Sequence, residues 1–304
     1  MAEIPAAGAA QFTTSTSSAP STPSAPSATA LSAGGPAAGG AAPGGAARGP
    51  LATRVIGSGP GLLLAHGAGG SIDGNYVQIF PALAAGHTVV APDYPGSGAT
   101  PRATGPLTLD GLADALVAEA VGADVETFTL VGYSLGSAVA VRAAVRHPER
   151  VRGLVLTAGL ARANNRARTS LELWQALLAQ DDLHTFARFA SVSAFSQAAY
   201  EEFDEAQRRA LVDDIAASVP AGTSEQAGLA LAADTTADLP RLTVPTLVIA
   251  TTEDLLVAPA HSRVLADAIP GAEYAELATG HLPMVERPAE WSALITDFLD
   301  RHGL

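Results

Sequence analysis

From about residue 51 the chain alternates short apolar runs with longer stretches in which apolar residues recur every three or four positions. The runs fall at 52–56, 61–65, 88–91, 127–131, 151–156 and 246–250, with a weaker one at 272–277, and read as strands. Leu109, Leu112, Ala113, Leu116, Val117 and Ala120 share one helical face, and so do Trp291, Leu294, Ile295, Phe298 and Leu299. Buried strands alternating with amphipathic helices predict an α/β fold, a mostly parallel sheet with helices on both faces. The stretch 162–240 breaks the rhythm. It has no strand-like run, and its pattern predicts helices over about 170–179, 182–195, 204–218 and 224–238. Thr169 with Glu172, and Thr223 with Gln226, have the capping-box spacing expected at two of their starts. The expected organisation is therefore a core of 51–161 and 241–304, with 162–240 as an inserted helical cap able to act as a lid over the strand ends. Of residues 1 to 50, 43 are Ala, Gly, Pro, Ser or Thr. That composition offers too little bulky apolar surface to offset ordering entropy and predicts a disordered tail.

Within this pattern, VGYSLGSA at 131–138 places Ser134 between Gly132 and Gly136, where the strand 127–131 gives way to a helix. Such a junction exposes one hydroxyl at the carboxyl end of the sheet, where ligands of parallel α/β folds bind. A serine hydroxyl becomes a nucleophile at neutral pH only beside a base that a carboxylate orients. Two later segments supply these, each after a predicted strand: TTEDLLV with Glu253 and Asp254, and ATGHLPMVERP with His281. The two acids are adjacent, so only one can face the imidazole.

Composition removes most other chemistries. With no cysteine there is no thiolate nucleophile, disulfide or Cys-ligated zinc. All 17 basic residues are Arg, which excludes Ser-Lys dyads, Schiff bases and a P-loop lysine. A net charge of -13 speaks against nucleic acid as partner. The uncharged apolar stretch 127–141 falls short of the roughly 20 residues a membrane span needs. MAEI lacks the basic start of a signal peptide, so a cytoplasmic location is expected. No pair of histidines has metal-ligand spacing, and neither a metal nor a cofactor is expected.

Several motifs together resemble the α/β-hydrolase-fold serine hydrolases with a helical cap. GYSLG at 132–136 is similar to their G-x-S-x-G, LLLAHGAGGS at 62–71 to their oxyanion loop, and APDYPGSG at 91–98 to their D-x-x-G-x-G turn. HPERVRGLVL at 147–156, VPTLVIATTED at 244–254 and GHLPMVERP at 280–288 also follow the pattern, which covers about 51–301. The resemblance implies the triad Ser134, Asp254 and His281, with backbone N–H groups of Ala68 and Leu135 as the oxyanion hole. It implies a solvated Glu253, a loop-fixing Asp93 and a structural His66. It further implies a carboxylic ester or lactone hydrolase acting through an acyl-enzyme on a small, largely apolar substrate. Carbon–carbon bond hydrolysis, perhydrolysis and aminopeptidase activity use the same triad, and a non-catalytic binder of the fold is the alternative from another class. Two departures stand out. The usual first strand would fall in the low-complexity segment, leaving the sheet one strand short, and Thr251 occupies a place where glycine is common, away from the triad.

The remaining candidates divide between site and scaffold. Leu173, Trp174, Leu177, Phe186, Phe189, Phe195 and Leu229 can line a pocket or pack the cap helices together. Arg162, Arg166 and Arg168 can hold a substrate carboxylate, although a solvated cluster is the simpler reading. His87, His147, His184, His261 and His302 are expected at the surface or at helix ends.

Overall fold

The computed structural model describes residues 51–304. The segment 1–50, with its expected tail and the question of an upstream strand, lies outside the described residues. Seven strands, β1 (Thr53–Gly57), β2 (Gly61–Ala65), β3 (Thr88–Pro92), β4 (Phe128–Tyr133), β5 (Val151–Thr157), β6 (Thr246–Thr251) and β7 (Glu273–Leu277), form one sheet in the order β1-β3-β2-β4-β5-β6-β7. Only β1 is antiparallel, pairing Val55 with Val90; β2 to β7 are parallel, with Leu63 opposite Leu130, Val131 opposite Val155 and Ile249 opposite Ala275.

The period-two geometry of a strand explains why these runs are apolar throughout. Leu63, Leu130, Leu154 and Val248 face one layer of the core, and Leu62, Val131, Val155 and Ile249 face the other. The first layer is completed by α3 (Leu109–Gly122), α4 (Leu135–Arg146) and α10 (Ala260–Ala268). The second is completed by α1 (Ile72–Tyr76), α2 (Phe80–Ala84), α11 (Pro283–Glu286) and α12 (Pro288–His302). Trp291 of α12 is fully buried, and its indole N–H donates to Thr157 Oγ1 at 3.0 Å, which keeps a polar group satisfied inside the apolar layer.

Between β5 and β6 lie α5 (Asn165–Ala179), α6 (Leu183–Ala194), α7 (Gln197–Glu201), α8 (Glu205–Ser218) and α9 (Thr223–Ala232). The two ends of this insertion are tied together where Arg162 bridges Asp234 and the Thr235 N–H donates to Ala161 O at 2.9 Å. Two expected helix starts are corrected. Helix α5 begins earlier, with Asn164 accepting from the Ala167 N–H, so Thr169 is interior. Thr223 is not a cap, because its hydroxyl donates to Pro220 O at 2.6 Å, and Gln226 is turned toward the core. The capping box present is Asp204 with Gln207, on α8. The helix expected over 224–238 ends at Ala232, since Asp234 is needed in the Arg162 bridge.

Candidate active site

Ser134 stands between β4 and α4 with φ 54° and ψ −119°, a conformation that costs an L-residue free energy and persists only where neighbours enforce it. The enforcement comes from both sides. The Ser134 N–H donates to Thr157 O at 2.9 Å, and the two flanking glycines allow a close approach. A Cβ at Gly132 would meet the Gly136 carbonyl, and one at Gly136 would run into the Ala65 carbonyl at the end of β2. The turn thus presents the hydroxyl at the C-terminal edge of the sheet.

His281 follows β7. Its Nδ1–H donates to Asp254 Oδ2 at 2.6 Å, which leaves Nε2 to accept from Ser134 Oγ at 3.0 Å. All three side chains are buried. Asp254 is held from both of its oxygens. Oδ1 accepts from the N–H groups of Leu256 (2.9 Å) and Val257 (2.8 Å), and Oδ2 accepts from Thr251 Oγ1 at 2.9 Å. Glu253 is exposed and contributes only its backbone N–H, donated to Thr279 O. Thr251 is therefore in contact with Asp254, contrary to its expected place away from the candidate residues; the spacing of a β-branched residue at a strand end gave no hint of this bond. The imidazole loop is fixed by the Tyr133 hydroxyl, which donates to His281 O at 2.6 Å, and by the His281 N–H, which donates to Ala194 O of α6 at 2.6 Å. Burial, with the Asp254 charge adding to it, pushes the Tyr133 phenol well above its usual range, so this donor stays protonated.

The loop after β2 runs past Ser134. His66 is buried and bridges Gly67 O (2.8 Å) and the Tyr94 N–H (2.9 Å). The carbonyl needs a donor and the amide an acceptor, so the ring is neutral with its proton on Nδ1. Burial lowers its pKa from 6.5 to about 4, the Gly67 bond opposing. In the loop itself the Gly67 N–H donates to Asn75 Oδ1, the Gly69 N–H to Gln226 Oε1 and the Gly70 N–H to Gly67 O. Among the described residues the Ala68 N–H has no protein acceptor, and neither does the Leu135 N–H at the start of α4. Both residues line the same cavity as Ser134. Asp93 does not reach the imidazole; its Oδ1 accepts from the Ile72 N–H at 2.7 Å.

That cavity encloses about 180 Å³ between the sheet edge and the insertion. Of the seven candidates, Trp174, Phe186 and Phe195 line it, joined by Leu171, Leu256 and Leu282. Leu173 is exposed, while Leu177, Phe189 and Leu229 pack the insertion against the core. No charged side chain is among the lining residues. Arg162 pairs with Asp234 at the base of the insertion, and Arg166 and Arg168 are exposed outside the cavity. His147 caps α4 and meets Asp114, and His184 and His302 are exposed. His87, expected at the surface or a helix end, is instead buried between Leu83 O and Leu304 O. His261 is at a helix end, in the first turn of α10, with its side chain buried.

Residues 60–288 match the family model described as the alpha/beta hydrolase fold. The chain is 36% identical over 245 residues to a pyrrolizixenacetamide deacetylase of Xenorhabdus hominickii, covering 80% of this chain and 92% of that protein. It is 32% identical over 253 residues to a pimeloyl-[acyl-carrier protein] methyl ester esterase of Aromatoleum aromaticum, covering 78% and 97%. Among solved structures, an enol-lactonase from Burkholderia xenovorans superposes with a TM-score of 0.74 at 26% identity, covering 82% of this chain and 96% of that one.

Proposed function

The chain belongs to the alpha/beta hydrolase fold family and is a hydrolase; from that premise we propose that it cleaves a small, uncharged carboxylic ester or lactone through an acyl-enzyme on Ser134. One observation carries the reading: a Ser134–His281–Asp254 relay and two amides without protein acceptors converge on the wall of one apolar cavity. His281 Nε2 takes the Ser134 proton as Oγ adds to the substrate carbonyl. Asp254 keeps the imidazole in the required tautomer and offsets the charge it gains. The negative charge that develops on the carbonyl oxygen accepts from the Ala68 and Leu135 N–H groups, the latter at the positive end of α4. His281 then protonates the departing alkoxide. In the second half-reaction it takes a proton from water as the water oxygen attacks the acyl carbon, and Ser134 leaves with that proton restored.

The cavity wall supports the choice of substrate. Burying an unpaired carboxylate or ammonium costs several kcal/mol, and apart from His281, which serves Ser134, the lining has no ionisable side chain suited to pair with either. A substrate with a free N-terminal ammonium, as an aminopeptidase needs, fits poorly there. An engineered apolar cavity of about 150 Å³ holds benzene, so the acyl or leaving group accepted here is on the scale of one ring. The 36% identity to a deacetylase favours a second reading, amide deacylation by the same steps with an amine as leaving group.

The test is a panel of neutral and anionic aryl esters, lactones and anilides with the natural sequence and Ser134→Ala. The neutral esters and lactones are expected to turn over best, and Ser134→Ala to lower kcat by about 10⁶ if the triad acts as a unit. Ester turnover that survives in Ser134→Ala defeats the mechanism, and anilides hydrolysed faster than matched esters favour the second reading. Binding without repeated turnover of any panel member points to a non-catalytic relative.

A further inference from the structure

The insertion reaches into the oxyanion loop at a single buried amide. Gln226, on α9, is completely buried, and all the hydrogen bonds of its side chain leave the insertion. Its Oε1 accepts from the Gly69 N–H at 2.8 Å, and its Nε2 donates to Ser97 Oγ at 2.9 Å and Pro95 O at 3.2 Å. The orientation of the amide is dictated by its partners, since an N–H requires the oxygen and a carbonyl requires the NH₂. Ser97 completes a ring by donating to Gly70 O at 2.6 Å. Gly69 itself has φ +69°, and a Cβ there would press on Thr223 of α9 and Trp174 of α5. Gly69 immediately follows Ala68, so the peptide plane between them is set by the bond to Gln226, and with it the direction of the loop that carries the Ala68 N–H.

We propose that Gln226 is a positioning residue for the oxyanion site, which makes helix α9 of the insertion a fixed part of the apparatus that stabilises the transition state. The proposal rests on Ala68 as an oxyanion donor, the reading given under Proposed function. A donor that drifts by a fraction of an ångström loses most where charge develops and least where the neutral substrate merely sits. Replacing Gln226 by Leu keeps the volume, removes the acceptor and orphans the Gly69 N–H.

Gln226→Leu is expected to lower kcat on a neutral aryl ester about 10- to 30-fold, short of the roughly 10²–10³ seen when a donor is deleted outright, with KM changed less than about twofold. Inhibition by phenylboronic acid, whose tetrahedral Ser134 adduct places an oxygen at the same amides, weakens in the same proportion. Sites are counted by fluorophosphonate labelling carried to completion. A purely structural role would reduce the number of labelled sites and the Tm while leaving kcat per site and the boronate constant unchanged, and that result overturns the proposal. Should Gln226→Leu not fold, Ser97→Ala, which removes the hydroxyl anchoring the Gln226 amide, carries the test. It is expected to lower kcat per site and boronate affinity by a smaller, parallel factor, and no change in either overturns the proposal. Turnover that persists in Ser134→Ala would instead fail the serine mechanism itself; Ser134-dependent turnover with a fully active Gln226→Leu fails this inference alone.

Discussion

At the scale of single residues, the Asp254 carboxylate has its two oxygens in different company, and this dictates what an amide in its place would do. Oδ1 accepts two backbone N–H groups, which cannot be redirected, while Oδ2 faces His281 Nδ1 and the Thr251 hydroxyl. In Asp254→Asn the amide oxygen must therefore stay with Leu256 and Val257, and the NH₂ group is turned on the imidazole. His281 is driven to carry its proton on Nε2, where it cannot accept from Ser134. The expected loss in kcat is up to roughly 10⁴ with little change in Tm. Glu253→Gln, one residue away and solvent-facing, is expected to stay within about twofold, because an exposed charge acts only through a screened field. Both variants are measured on one neutral ester. A crippled Glu253→Gln beside an active Asp254→Asn would show that the orienting carboxylate is the other one, and two active variants would take the imidazole's partner out of this loop altogether.

At the scale of elements, the strand-turn-helix unit around Ser134 works because two glycines let three backbone segments touch. A Cβ at Gly136 would overlap the Ala65 carbonyl, which is anchored by the β2–β4 pairing of Ala65 with Gly132, so neither partner can yield cheaply. Gly136→Ala is expected to cost about 1–3 kcal/mol or more as overpacking, seen as a Tm several degrees lower together with slowed fluorophosphonate labelling. Gly105→Ala, where nothing lies within 4 Å, is the control and should leave both unchanged. A Gly136→Ala protein with the original Tm and labelling rate would mean that the turn relaxes and that the glycine is dispensable. This unit, like the sheet, was legible in the sequence because its signals are local: apolar runs of strand length, a glycine on each side of one serine, and an acid and a histidine just past two strands. The insertion was less legible. Its helices were readable, but the Ser/Thr-x-x-Glu/Gln spacing at Thr169 and Thr223 is cheap to satisfy by chance; α5 and α8 are capped by the local side chains of Asn164 and Asp204, and α9 starts after Gly222 without a side-chain cap. Gln226 and Thr251 escaped because a buried amide or hydroxyl leaves no periodic trace: the partners of Gln226 are distant in sequence and meet it only on folding, and the Thr251 bond to nearby Asp254 depends on how the loop after β6 turns.

At the scale of the whole molecule, the described chain is one sheet whose functional edge is roofed by a helical insertion and bound to it from two sides. On the oxyanion side the bond is Gln226. On the imidazole side Glu286 accepts from the N–H groups of Ser196 (3.0 Å) and Gly280 (3.2 Å), next to the His281–Ala194 bond. Such an assembly should respond to acid through its buried titratable groups, and their signs differ. His66 is held neutral, its pKa lowered from 6.5 to about 4 chiefly by burial. As pH falls below 6.5 the unfolded chain takes up a proton that the folded one refuses, so stability drops between 6.5 and about 4, by about 3 kcal/mol at one unit per 1.36 kcal/mol. His261, also lowered by burial, acts in the same direction. Asp93 and Glu286, raised first of all by burial, act oppositely: the folded state binds their protons more readily, so acid favours it. Asp114 and Glu273, held at about 2 mainly by Arg146 and Arg301, lose their contribution only at lower pH. The His66 share is isolated by comparing the natural sequence with His66→Asn in urea titrations from pH 7 to pH 4. The stability advantage of His66 over Asn is expected to shrink by about 3 kcal/mol across that range, with the steepest change about midway between the two pKa values, between roughly pH 6 and pH 4.5. An advantage that stays constant with pH would mean that the imidazole takes up its proton in place, and that the neutral bridge from Gly67 to Tyr94 does not limit the acid stability of the oxyanion loop.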